Sequence, residues 1–113
     1  PVYFFVIDVS AFSAQSGMLR TACDAIKESL DDMASHPRTQ IGFLTFDSSI
    51  HFYNLKSTLA APQMMVVSDT TETVLPHITD DLLVSLEESR GMVDILLDSL
   101  PSMFSNSQIT TNI

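Results

Sequence analysis

The sequence predicts an α/β fold: part of an open, doubly wound sheet, with an antiparallel hairpin at its edge and the rest of the sheet missing. Three observations lead there. Val2 to Ile7 is a continuous apolar run rich in β-branched and aromatic residues, the pattern of a strand covered on both faces. A helical stripe follows it, and then a second apolar strand, Gln40 to Phe46, which is the order of a parallel crossover unit. The link from that strand to the next one is too short for a crossover, so the third strand must run antiparallel.

Taken in order, Val2–Ser10 is the stretch around which the other elements are layered. It ends in Asp8-Val9-Ser10, polar groups at a strand's carboxyl end, where open α/β sheets place ligands. Ala11 to Gly17 reads as a polar, flexible lead. Leu19, Ala22, Cys23, Ile26, Leu30 and Met33 then recur at the spacing of one helical face. Arg20, Asp24, Lys27, Glu28, Asp31 and Asp32 occupy the other. Pro37 disfavours helical geometry at His36, so this helix stops near Ser35. Asp47-Ser48-Ser49 is a turn between Gln40–Phe46 and Ile50–Leu55, and the hairpin strand Ile50–Leu55 is expected to be the sheet edge. Gln63 to Ser68 is a short apolar strand or extended segment, and Thr70 to Asp81, broken by Pro76, is a surface loop. A second helix is expected over about Glu88 to Leu100. Met92, Val93, Leu96, Leu97 and Leu100 form its buried stripe, and either Ser85, at capping-box spacing from Glu88, or Ser89 caps it. Pro101 ends or kinks it, Met103 and Phe104 anchor one further turn, and Ser105 to Ile113 is a frayed polar end.

Composition narrows the function. Of 113 residues, 45% are hydrophobic and 17% charged, enough apolar content to bury a core and too much for disorder. The net charge is −9, with five Lys and Arg against fourteen Asp and Glu. Nucleic-acid binding needs a basic surface, and an anionic membrane repels an acidic one. No apolar run reaches the roughly 20 residues that span a bilayer. The lone Cys23 rules out an internal disulfide or a Cys-rich zinc site, fits a reducing compartment, and sits on the buried stripe as a small core residue.

Candidate chemistry is sparse. Asp8-x-Ser10 begins the Asp-x-Ser-x-Ser pattern with which von Willebrand A-type domains hold a divalent cation by hard oxygen ligands. Phe12 stands at the third ligand position, and Phe cannot ligate. The reading is therefore a degenerate cation site at Asp8, Ser10 and Phe12, with Asp8 and Ser10 bracing the loop after the first strand. His36, His51 and His77 flank no metal-spaced partners. Asp31-Asp32, Asp80-Asp81 and Glu87-Glu88 are adjacent on the chain and do not face one another on a helix. The three glycines are isolated, so no phosphate loop exists, and Ser10, Ser13 and Ser16 lack a nucleophile elbow.

A resemblance carries further. Ile41–Lys56 (Ile-Gly-Phe-Leu-Thr-Phe-Asp-Ser-Ser-Ile-His-Phe-Tyr-Asn-Leu-Lys) and Pro62–Asp69 (Pro-Gln-Met-Met-Val-Val-Ser-Asp) are its most specific blocks. With Phe5–Ser10, Asp81–Ser89 and Leu96–Phe104, they make the chain closely resemble the trunk domain of the cargo-adaptor subunit of the COPII vesicle coat. Residues 1–105 fall in the resemblance, as the N-terminal part of the trunk, and residues 106–113 form a polar tail. There Gln108–Ile113 departs from the acidic segment expected of the family. The resemblance implies a partial, truncated von Willebrand A-like (Rossmann-type) sheet whose cation site is degenerate. It implies no enzyme, and no cofactor in this fragment beyond a structural zinc in a neighbouring zinc-finger domain. It also implies a cytoplasmic protein, peripheral on endoplasmic reticulum exit sites and COPII vesicles, that supports cargo selection in transport to the Golgi. The implied partners are the other inner-coat subunit, through the trunk, the coat's small GTPase by way of the assembly, and cargo proteins. Neither nucleic acid nor direct membrane insertion is implied. On the edge-strand reading, His51, Phe52, Tyr53 and Asn54 are the candidate partner interface; the alternative is that Phe52 and Tyr53 simply pack the core. The rival reading is a metal-dependent von Willebrand A-type adhesion module, against which Phe12 counts. A second rival, an enzyme using Asp8, lacks a cofactor or nucleophile motif. With half a sheet absent, the fragment alone is expected to be unstable or to associate through its open edge.

Overall fold

In the computed structural model the described residues are 1–67 and 82–111, with side chains described through Ser105. The expected loop at Thr70–Asp81 lies outside them. The chain forms β1 (Val2–Asp8), α1 (Ala11–Ser16), α2 (Met18–Ala34), β2 (Gln40–Phe46), β3 (Ile50–Asn54), β4 (Gln63–Val67), β5 (Val84–Ser85) and α3 (Leu86–Thr111).

β1 and β2 pair in parallel from Val2↔Gln40 to Asp8↔Phe46, and β3 and β4 follow antiparallel in the order β1-β2-β3-β4. β1 covers the whole of β2 on one side. On the other side β3 takes the Leu44–Phe46 end and the two-residue β5 takes Gln40 and Ile41. The sheet is open and mixed, as the sequence predicts.

Side chains at odd positions of β1 and β2 meet the helices. Phe5 stacks on Phe43, with ring centroids 5.5 Å apart. Ile7, Ile41, Phe43 and Tyr53 join Leu19, Cys23 and Leu30 of α2 and Val93, Leu96, Leu97 and Leu100 of α3 in the main core. The opposite face carries a small second cluster of Phe52 and Leu82 with Leu44, Ile50, Met65 and Val67 around it. Gly42 is what lets the chain cross that face. A Cβ there would lie 2.5 Å from the Leu82 carbonyl oxygen and 2.8 Å from the Phe4 ring.

Several expectations need correction. β1 is not covered on both faces: among the described residues it has one neighbour, and Val2, Phe4 and Val6 are exposed. β3 is not the sheet edge, because β4 pairs along its whole length. Ala11–Ser16 is helical, not a flexible lead. Ser10 accepts the Ser13 amide at its N-cap, and Gly17, at φ 89°, turns the chain into α2, a backbone angle that glycine adopts without steric cost. β5 was not foreseen. α3 starts two residues earlier than expected, with the Ser85 hydroxyl accepting the Glu88 amide at 3.4 Å, which settles the cap in favour of Ser85. It also runs through Pro101 to Thr111. Proline costs an interior helix one hydrogen bond and a clash, but here the next turn is held by tertiary packing: Phe104 is buried, its ring 5.3 Å from that of His51. The end of α2 is as expected. Ser35 caps it, and the buried Thr39 hydroxyl donates to the carbonyls of Met33 at 2.7 Å and His36 at 2.9 Å.

Candidate functional site

The carboxyl ends of β1 and β2 lie side by side, since Asp8 pairs with Phe46 and the Val9 amide donates to the Phe46 carbonyl at 2.9 Å. This is where an open α/β sheet offers a ligand site. At the end of β1 the Asp8 carboxylate accepts the Ser10 amide at 2.8 Å, and the Ser10 hydroxyl accepts the Ser13 amide at 3.5 Å. Both oxygens brace the turn and cap α1, the local role expected of short polar side chains in such a turn. Phe12, on the first turn of α1, is 71% exposed and brings no ligand atom. Among the described residues no three His, Cys, Asp or Glu side chains converge as a metal site would require.

At the end of β2 a polar chain runs inward. The Thr45 hydroxyl lies 2.9 Å from His51 Nδ1 and 2.6 Å from the Tyr53 hydroxyl. The other imidazole nitrogen, Nε2, is 3.0 Å from the Ser49 hydroxyl and 3.4 Å from Asp47 Oδ1. Asp47 Oδ1 in turn accepts the Ser49 amide at 3.0 Å and so shapes the hairpin turn. One proton order satisfies the set: Tyr53 donates to Thr45, Thr45 to Nδ1, and Nε2–H to Ser49 or Asp47. Burial pushes the Tyr53 hydroxyl up to about 12, against the lowering effect of the Thr45 hydrogen bond, so Tyr53 stays a neutral donor. Thr45, His51 and Tyr53 are all buried. The three buried groups have their donors and acceptors engaged with one another or with the more exposed Ser49 and Asp47, and such a satisfied network specifies packing. Cys23, in the same core, is held as an unreactive thiol: burial, with the nearby Asp24 charge, pushes it up to about 11.

His51, Phe52 and Tyr53, expected as interface residues, thus lie inside the fold, and only Asn54 among the four is part-exposed. The network itself was missed. Its signal was available, because a turn at Asp47–Ser49 sets Thr45 opposite His51.

Two features of the surface remain. Lys27 Nζ donates to Asp98 at 2.6 Å and Arg90 to Asp31 at 3.0 Å, tying α2 to α3 at solvent-exposed positions. Hydrogen bonding to Asp98 raises the Lys27 ammonium above its ordinary range. Along the open edge of β1, Phe5 and Ile7 line an apolar groove with Met18, Ala22 and Ile26 of α2, about 380 Å³ in volume.

The fold and this geometry define an α/β sheet domain with an open apolar edge along β1. The chain belongs to the Sec23/Sec24 trunk domain family, whose model matches residues 1–113. It is 56% identical over 107 residues to protein transport protein SEC24 A of Arabidopsis thaliana, covering 95% of this chain and 10% of that protein. Against human protein transport protein Sec24B it is 48% identical over 109 residues, covering 96% of this chain and 8% of that one. The crystal structure of the human COPII-coat protein Sec24c superposes with a TM-score of 0.79 at 42% identity, over 92% of this chain and 14% of that one. The chain thus spans about a tenth of the length of the Sec24 relatives it matches. No helix among the described residues is long and apolar enough to cross a membrane.

Proposed function

We propose that this chain is the N-terminal part of the trunk of a COPII cargo adaptor, a structural module without catalysis. The observation that carries this is sequence identity of 39–56% to Sec24 proteins across nearly the whole chain, on a fold that matches a COPII-coat protein. In the parent protein the trunk pairs with the other inner-coat subunit and, through the assembly, meets the coat's small GTPase and supports cargo selection from the endoplasmic reticulum to the Golgi. The protein works in the cytoplasm, peripheral on exit sites and vesicles, with a structural zinc in a neighbouring zinc-finger domain. The end of β1 works without a divalent cation, because Phe12 replaces a ligand and Asp8 and Ser10 are engaged in capping. Residues 1–105 are trunk, and the apolar groove and free edge of β1 receive the remainder of that same domain, since an exposed edge with an apolar flank is a pairing surface.

The test is capture of the partner inner-coat subunit by the intact parent protein, in Mg²⁺ and in a chelator. Metal-independent capture is the expected result. Absence of capture, or capture lost in chelator while the structural zinc is retained, would overturn the reading in favour of a metal-dependent adhesion module.

A further inference from the structure

We draw no further inference here: the strongest candidate, the apolar groove between the free edge of β1 and α2, belongs to the surface already assigned to the remainder of the trunk, and nothing in the structure shows what else covers it.

Discussion

β1 and β2 are alike on paper and opposite in the fold. Each has seven residues, each is mostly apolar, and they pair in parallel from end to end. Yet Ile41, Gly42, Phe43 and Thr45 of β2 are buried, whereas in β1 only Ile7 is. The difference is neighbours. β2 has β1 on one side and β3 and β5 on the other, helices over one face and the Leu82 segment over the other. β1 has β2 alone. Apolar character makes a strand able to be buried; burial itself is conferred by what packs on it.

The comparison can be broken in graded ways. The largest effect is expected from Phe43→Ala, which removes a fully buried ring and costs about 3–5 kcal/mol, read as a lowered urea midpoint. Val6→Ala in β1 should cost less than about 0.5 kcal/mol in the 113-residue chain, as at an ordinary surface site. In the complete trunk the cost should rise to about 1–2 kcal/mol as the site becomes covered. Equal costs in the two contexts would refute the assignment of β1 to a covered position.

Gly42→Ala comes next. Its Cβ would meet backbone and a neighbouring ring, and overpacking of this kind costs about 1–3 kcal/mol. Amide exchange should quicken first at Leu82 to Val84, the segment that must move. A substitution that left those amides unchanged would show that the chain does not cross there.

Thr45→Val probes the polar interior of β2. It leaves the Tyr53 hydroxyl and His51 Nδ1 without partners, at a cost of about 1–3 kcal/mol. Thr45→Ser should recover most of this, as a purely volumetric role for Thr45 would not allow.

The effect seen only at high pH is an alkaline dependence of stability. Tyr53 and Cys23 are acids whose folded-state values, about 12 and about 11, lie above their ordinary ones. The unfolded chain therefore releases these protons first as pH rises, and stability falls. The window opens near pH 9 with Cys23, continues from pH 10 with Tyr53, and closes near pH 12. Each group contributes at most roughly 3 kcal/mol across its window. Tyr53→Phe should remove the upper part of the slope, and Cys23→Ala the lower. An unfolding midpoint flat from pH 9 to 12 would contradict the burial of both.

Much of the fold was legible from periodicity. The stripe from Leu19 to Met33 located α2 and, with Pro37, its end; the short link at Asp47–Ser49 gave the antiparallel turn. At the β1 end, Asp8 and Ser10 make the turn and cap expected of them. What escaped lay in relations between distant segments. β5 is two residues long, too short for any period, and forms because Leu82–Ser85 is laid along β2. A further turn anchored by Met103 and Phe104 was expected, but its packing partner for Phe104, His51, lies more than fifty residues away.

The sequence by itself determined the class of fold, the extent of α2, the turn at Asp47–Ser49 and, through Ile41–Lys56 and Pro62–Asp69, the family. Those are properties of local chemistry and spacing. Only the tertiary structure decided which strand is covered and which is open, that His51 and Tyr53 face inward onto Thr45, and that β4 lies outside β3. A strand's hydrogen bonds and its burial are completed by other strands and helices, and sequence alone does not say which of them stand beside it.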